Sequence, residues 1–174
     1  MSYTTNFSGE FTATPALNAA QVAYLKAFNG SRRMKRDATI TAARPDPKRE
    51  AVYLPIGDDA GYFVGAAHAN RGQEDDAPDI LDYNSPPSDQ PGLWCQWVPS
   101  DDGATIVWDE GEKFYNYVPW IEYLIEHFLA PWGVRLSGRV AWQGEDNDDR
   151  GTIHVKDNHV QAIEDQITAP EPEW

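Results

Sequence analysis

Hydrophobic and polar residues follow two different periodicities in the first part of the chain. Residues 5–14 are rich in Thr and Phe and broadly alternate, which predicts a strand that Pro15 ends. Residues 19–28 repeat their hydrophobic side chains at helical spacing, directly after Asn18, which is a favourable N-cap residue. The first part of the chain is therefore predicted to hold one strand and one helix.

The second half of the chain is more regular than the first. Strands are predicted over residues 93–98, 104–108, 134–142, 152–155 and 159–163. A helix is predicted from residue 118 or 119 to about Leu129, because Pro119 suits a first turn and Pro131 ends the segment. Hairpin turns join most of these strands. The predicted fold is an α+β two-layer sandwich with a mainly antiparallel sheet and both helices on one face.

Residues 55–92 interrupt this pattern with residues typical of loops. They include ten Gly or Pro residues and eight acidic residues, and at most one short strand is predicted, at residues 62–64. An irregular connection of this length is uncommon inside a compact domain. We therefore predict a single α+β domain over residues 1–168 that carries 55–92 as an irregular insertion, followed by a flexible tail at 169–174.

The composition favours an ordinary folded domain over a membrane or secreted protein. Hydrophobic residues make up 41% of the 174 residues, and no apolar stretch is long enough to span a bilayer. The first residues lack a basic segment followed by an apolar one, so no signal peptide is predicted. A single cysteine excludes an internal disulfide framework and a zinc site built from cysteines. Together these features predict a cytoplasmic protein without a membrane partner.

The net charge of −14 is unevenly distributed along the chain. Residues 1–56 hold eight basic and four acidic residues, whereas residues 57–174 hold six basic and twenty-four acidic residues. A body this acidic repels phosphate backbones and attracts basic surfaces, which predicts a basic protein partner. The alternative is that the charge serves solubility alone.

Basic residues concentrate in one short run that contains Arg32, Arg33, Lys35 and Arg36. The acidic remainder of the chain disfavours nucleic-acid binding, and this run is the exception at which the sequence allows it. The run can equally pair with carboxylates of the same chain, which are always at high local concentration. We favour this second interpretation.

Aromatic and acidic residues are frequent after the irregular insertion. Eight of them are candidate binding residues: Trp94, Trp97, Glu110, Glu112, Tyr115, Tyr117, Trp142 and Glu145. Exposed aromatic rings beside carboxylates suit a protein interface or a stacking pocket. The alternative is that the aromatic residues form the core, where such side chains are often buried.

Two acidic segments suggest possible chemistry, and for both we favour a structural role. Residues 108–115 hold three carboxylates that could supply a general acid and base, but no histidine or nucleophile accompanies them. Acidic residues before a helix are also expected from the helix dipole. Residues 146–157 partly match a calcium loop, but Arg150 stands where a ligand belongs, so an acidic hairpin turn is predicted.

The histidines and the cysteine do not indicate a metal or cofactor site. The four histidines do not converge on a ligand pattern. Cys95 lies between two tryptophans and is predicted to be a small core residue. No metal site and no cofactor are therefore predicted.

Three segments resemble an uncharacterised family of small proteins from bacteria and their phages. They are Pro-Gly-Leu-Trp-Cys-Gln-Trp at residues 91–97, residues 108–117, and Trp-Gln-Gly-Glu-Asp at residues 142–146. The resemblance covers most of the chain, including the basic run. It implies a cytosolic, phage-associated protein, and it assigns no activity and no functional residue.

The sequence thus favours an acidic binding protein that engages a basic protein partner, as an inhibitor or a nucleic-acid mimic. The alternative is a small enzyme that uses a carboxylate such as Glu112 in a pocket of Trp and Tyr side chains. A deep pocket that holds two or more such carboxylates would favour the enzyme, and a shallow surface would favour the binding protein.

Overall fold

The computed structural model describes residues 3–65 and 78–165. The predicted tail at 169–174 and residues 66–77 of the predicted insertion lie outside these described ranges. The described strands and helices, in chain order, are β1 (Asn6–Thr14), α1 (Ala19–Asn29), β2 (Lys35–Arg36), α2 (Ala38–Ala42), α3 (Pro47–Ala51), a 3-10 turn (Asp58–Ala60), β3 (Ile80–Asp82), β4 (Trp97–Pro99), β5 (Thr105–Trp108), α4 (Tyr117–Leu124), a π-helical turn (Ile125–Leu129), β6 (Arg135–Gln143), β7 (Arg150–Lys156) and β8 (His159–Glu164).

Six of the strands form one antiparallel sheet in the order β4-β5-β1-β6-β7-β8. The long strands β1 and β6 lie at its centre and pair from Asn6 opposite Gln143 to Thr14 opposite Arg135. In the last hairpin Lys156 lies opposite His159, as a two-residue turn requires. The mainly antiparallel sheet predicted from the sequence is therefore confirmed.

Alternate residues of the sheet point to two very different environments. Phe11, Leu136 and Val140 lie on the inner face and are almost completely buried, in one cluster with side chains of the two main helices. Arg139 and Lys156 on the outer face are exposed. The burial pattern places α1 and α4 on the inner face, which confirms the predicted α+β architecture with helices on one side.

The two main helices begin as their sequences dictate. Asn18 and Gln21 cap α1 reciprocally, each side chain accepting a hydrogen bond from the other residue's backbone N–H. Helix α4 begins at Tyr117, one or two residues earlier than predicted, and Pro119 is tolerated in its first turn because no hydrogen bond is needed there. Its continuation is a π-helical turn, in which Ala130 N–H donates to the carbonyl of Ile125 at 2.8 Å.

The predicted strand at residues 62–64 is wrong. The backbone N–H groups of Val64 and Gly65 donate to the buried carboxylate of Asp46, at 3.3 and 2.8 Å, and not to a neighbouring strand. The short strand in this part of the chain is β3 instead, which pairs with β2 in a separate two-stranded sheet. Hydrogen bonds to the side chain of Asp46 therefore take the place of the strand pairing that was expected at these residues.

Arg36 of the basic run, and two arginines that follow the run, form ion pairs with carboxylates of the same chain. Buried Asp79 lies 2.5 Å from Arg36 Nη1 and 3.0 Å from Arg44 Nη1. Asp46 likewise lies 2.6 Å from Arg49 Nε. The interpretation that this run pairs in cis is supported by these contacts.

Arg33 is almost completely buried and binds uncharged groups. Its guanidinium donates to Ser31 Oγ, Gln90 Oε1 and the carbonyl oxygens of Gly61 and Phe63, at 2.7–3.3 Å. Burial lowers the pKa of this guanidinium. Arg33 and Arg36 are both buried, so neither is available to a nucleic acid, whereas Arg32 and Lys35 of the run are half-buried.

Candidate functional site

Three of the predicted binding residues line one surface cleft, which we name the Trp94 cleft. Trp94, Glu112 and Tyr115 surround a space of about 450 Å³, and both aromatic rings are substantially exposed, at 39% for Trp94 and 51% for Tyr115. The other lining residues are Gly92, Leu93, Gln96, Lys113 and Asn116. The cleft therefore combines apolar ring surface with one carboxylate and one ammonium group.

Gln96 holds the loop that forms one wall of this cleft. Its amide nitrogen donates to the carbonyl of Glu112 at 2.7 Å, and its amide oxygen accepts from Trp108 Nε1 at 3.0 Å. Within this loop Glu110, Lys113 and Asn116 all have positive φ angles between 58° and 67°. Such backbone conformations are unfavourable for residues with side chains and are concentrated at functional sites.

A second cleft, the Tyr117 cleft, adjoins the first at Asn116. Tyr117 and Trp142 line a space of about 640 Å³ together with Ala162 and Glu164 of the edge strand β8. Trp142 Nε1 donates to Asp149 at 3.0 Å, which fixes the indole against the sheet. Partial burial, with a contribution from Asp149, raises the pKa of Tyr117 to about 12, so its phenol stays protonated at neutral pH.

A third cleft lies on the other side of Pro119, and we name it the His127 cleft. It encloses about 420 Å³ and is lined by Asp89, Pro91, Pro119, Glu122, Tyr123, Glu126 and His127. The imidazole of His127 stacks on Tyr123 with 4.0 Å between ring centroids, and its Nδ1 lies 2.7 Å from the hydroxyl of Tyr62. The π-helical turn that carries His127 is of a kind frequently found at functional sites.

The sequence alone did not point to the His127 cleft. Tyr123 and His127 are four residues apart on one helical segment, and this spacing was the sequence feature that could have placed their side chains together. Tyr62 and Asp89 come from the irregular segment, and their positions depend on tertiary contacts that no local pattern encodes.

The three clefts surround the N-terminal turn of α4, and we name this combined surface the α4 face. Its exposed carboxylates belong to Asp89, Glu112, Glu122, Glu126 and Glu164. Lys113 is the one Lys or Arg among the residues that line the three clefts. The surface is therefore strongly acidic and carries aromatic rings in its depressions.

The remaining predicted site residues lie elsewhere. Trp97 is 1% exposed and packs against Phe7, Phe11 and Phe114, so it is a core residue and not a surface for a partner. Glu110 is exposed and lines none of the three clefts. Glu145 accepts a hydrogen bond from the backbone N–H of Thr4, and it thereby fixes the start of the described chain.

The acidic turn around Asp149 holds that same N-terminal segment. Tyr3 donates from its hydroxyl to Asp149 at 2.7 Å, and the Tyr3 backbone N–H lies 3.4 Å from the hydroxyl of Tyr115. The turn follows β6 and precedes β7, so its flanks are strands, unlike the helices of a calcium loop. The acidic hairpin turn is the arrangement observed.

The described ranges show neither a metal-ligating cluster nor an exposed thiol. No group of three or more His, Cys, Asp or Glu residues in residues 3–65 and 78–165 is arranged to hold a metal ion. Cys95 is buried, as predicted, and burial raises the pKa of its thiol to about 12. Among the helices that the structure describes, none has the length and apolar character needed to cross a membrane.

No protein-family model, curated protein or solved structure matches this chain. We therefore infer function from the geometry and charge of the described surface.

Proposed function

We propose that this protein is an acidic binding protein that engages a basic protein partner through the α4 face. The observation that carries the proposal is the combination of exposed Trp94 and Tyr115 rings with five exposed carboxylates around one helix terminus. Aromatic anchors supply contact area, and carboxylates pair with the lysine and arginine side chains of a partner.

The lining of the Trp94 and Tyr117 clefts favours binding over catalysis. Among the described residues, Glu112 is the carboxylate that lines the Trp94 cleft and Glu164 is the carboxylate that lines the Tyr117 cleft. A general acid and a general base would need two titratable groups facing one reacting atom. Guanidinium and ammonium groups, in contrast, need only an exposed carboxylate and a ring face.

A defined basic ligand tests the proposal. A short peptide rich in arginine and lysine should bind the full-length protein in a calorimetric titration, and the affinity should fall steeply as salt is added. Trp94→Ala and Glu112→Gln should each weaken binding by about tenfold, as for a central interface residue. Tyr53→Ala is the matched control, because Tyr53 is 92% exposed and lies outside the three clefts.

The result that would overturn the proposal is equally specific. Binding that is insensitive to salt, or that Tyr53→Ala weakens as much as Trp94→Ala does, would remove the α4 face as the interface. Partners captured from cells that are retained unchanged at high salt would also count against charge-driven binding.

The acidic surface also suits an inhibitor that occupies a nucleic-acid-binding groove of its partner. Its carboxylates would take the positions of phosphates on the partner's basic surface. A competition experiment tests this inhibitor hypothesis. DNA that binds the partner's groove should displace the protein from the partner. A cytoplasmic location and an association with phages, which the sequence and the resemblance suggest, belong to the same proposal.

One observation favours the alternative of a small enzyme, and it lies in the His127 cleft. His127 is hydrogen bonded to Tyr62 and shares the cleft with the three carboxylates of Asp89, Glu122 and Glu126. A histidine oriented by a second group can serve as a general base. Mass spectrometry of the captured partner, after incubation with wild-type protein or His127→Gln, separates the two functions, since only an enzyme changes the partner covalently.

A further inference from the structure

The outer face of the sheet carries a compact group of basic and imidazole side chains, which we name the outer basic cluster. It consists of Arg135 and Arg139 on β6, His154 and Lys156 on β7, and His159 on β8. All but His154 are exposed, and His154 is partly buried. The cluster lies on the side of the sheet opposite to the helices and therefore opposite to the α4 face.

The strand register makes these five residues neighbours. Arg139 lies directly opposite His154, and Lys156 lies directly opposite His159. Continuing the β6–β7 register places Lys156 opposite Ser137, between Arg135 and Arg139. Diagonal neighbours on one sheet face have side chains about 7–8 Å apart, which is within reach of long side chains. Three permanent positive charges therefore converge on one small area.

In the part of the chain that the structure describes, this area has more cationic than carboxylate side chains. Within residues 3–65 and 78–165, Arg135, Arg139 and Lys156 form no ion pair. Glu10 is the one carboxylate among the outer-face residues of the paired strands β1, β6, β7 and β8, and it lies opposite Arg139. The whole protein has a net charge of −14, so an even distribution of its charged side chains would not produce a net positive area here.

A shallow depression marks the same place. It encloses about 350 Å³ and is lined by His154, Lys156, His159 and Gln161, together with Val160. Its polar groups are two imidazoles, an ammonium group and a carboxamide, which are all able to donate hydrogen bonds. No aromatic ring other than the two imidazoles lines it, so stacking on nucleic-acid bases has little support here.

We propose that the outer basic cluster binds a compact polyanion built on a phosphate chain. Arginine forks and an ammonium group within one small area match the closely spaced charges of linked phosphates. A compact ligand stays within the positive area, whereas a long polynucleotide would extend onto the acidic remainder of the molecule and be repelled. Inorganic polyphosphate and a nucleoside polyphosphate share this chemistry.

The surroundings of the two histidines are more positive than negative. The groups that face His154 are Arg139 from β6 and Gln161 from β8, with Thr152 and Lys156 on its own strand. His159 faces Lys156, and the nearest hairpin carboxylate is that of Asp157. Both imidazoles therefore lie beside cationic side chains, and all of these groups can donate hydrogen bonds to one polyanion.

Titration of the full chain with tripolyphosphate at low salt tests the proposal. Tripolyphosphate should bind wild-type protein, and the affinity should fall as salt is added. The double variant Arg139→Gln/Lys156→Gln should bind at least about tenfold more weakly, since it loses two charge-assisted hydrogen bonds. Lys113→Gln is the matched control, because Lys113 is exposed but lies on the α4 face.

Titration with ATP shows whether the site prefers a phosphate chain alone or a nucleotide. Equal affinity for ATP and tripolyphosphate assigns the site to phosphates alone, and tighter binding of ATP assigns it to a nucleotide. The proposal fails if tripolyphosphate does not bind wild-type protein at low salt, or if Lys113→Gln loses as much affinity as the double variant. It also fails if a single-stranded oligonucleotide binds more tightly than tripolyphosphate.

Discussion

The hydroxyl of Tyr62 lies 2.7 Å from Nδ1 of His127, and this hydrogen bond joins the irregular segment to the helical layer. The ring of Tyr62 also packs edge-on against Phe128, with 5.4 Å between centroids, and its carbonyl accepts a hydrogen bond from Tyr24. The segment that precedes the undescribed residues 66–77 is thus fixed on the same helix that carries the His127 cleft.

Replacing Tyr62 with Phe removes this hydrogen bond and keeps the ring in place. We expect the free energy of unfolding to fall by about 1 kcal/mol, the usual net value of one hydrogen bond. Urea unfolding of the full chain measures the difference. Tyr53→Phe, at a tyrosine that is 92% exposed, should leave the midpoint unchanged, and an equal effect of both changes would contradict the structural role of Tyr62.

Replacing Arg33 with Lys tests the buried guanidinium. An ammonium group cannot reach Ser31, Gly61 and Phe63 at once, so buried carbonyl oxygens lose their donors, and we expect a loss of about 3 kcal/mol. Arg32→Lys is the neighbouring control. Arg32 is half-buried over Tyr83, and its replacement should cost less than about 1 kcal/mol in the same unfolding experiment.

These residues show where sequence reasoning succeeds and where it stops. Alternation and hairpin turns were enough to predict that all six strands of the main sheet exist, because the side chains that alternate in sequence also alternate between core and solvent. The strand predicted at 93–98 is shorter than expected, since β4 begins at Trp97. The helix at α1 was predictable for a similar local reason, since Asn18 caps it and its hydrophobic residues share one face.

The irregular part of the chain and most of the candidate site depend on contacts between distant residues. Asp46 binds the backbone at residues 64 and 65 and so prevents the strand predicted there. Trp94 and Trp97 have the same residue type and lie three positions apart, yet only Trp94 is available to a partner. Composition alone does not tell which of the two tryptophans is exposed, because exposure depends on which side of the chain packs against the helices.

Cys95 makes stability depend on pH in the alkaline range. Burial raises the pKa of its thiol from 9.0 to about 12. Above pH 9 the unfolded chain therefore releases a proton that the folded protein still holds, so the free energy of unfolding falls as the pH rises towards 12. By about pH 10 the loss should be on the order of 1 kcal/mol.

Urea unfolding at a series of pH values from about 8 to about 10 measures this slope, to which tyrosines also contribute as the unfolded chain nears their pKa of about 10. Cys95→Ala should make the dependence shallower and leave the tyrosine contribution, so the difference between the two slopes belongs to the thiol. A thiol reagent should label wild-type Cys95 only as fast as the protein opens. Rapid labelling of the folded protein, or an unchanged slope in Cys95→Ala, would contradict the buried position of this thiol.

The same substitution should lower the free energy of unfolding much more at Trp97 than at Trp94. Trp97 Nε1 donates to the carbonyl of Tyr117 at 2.9 Å, and its indole is enclosed by aromatic rings. Trp97→Phe therefore leaves a cavity and removes the donor to that carbonyl, and we expect a loss of about 3 kcal/mol in the free energy of unfolding. Trp94→Phe should change stability by less than about 1 kcal/mol, because its indole is already partly in solvent.

The same pair of variants links stability to the proposed function. Trp94→Phe keeps an aromatic ring in the cleft, so it should retain more affinity for the basic peptide than Trp94→Ala does, while both remain folded. If Trp94→Ala binds as wild-type protein does, the ring is not an anchor, and binding must depend on the carboxylates alone. If Trp97→Phe unfolds no more easily than Trp94→Phe, the assignment of one tryptophan to the core and the other to the partner surface is wrong.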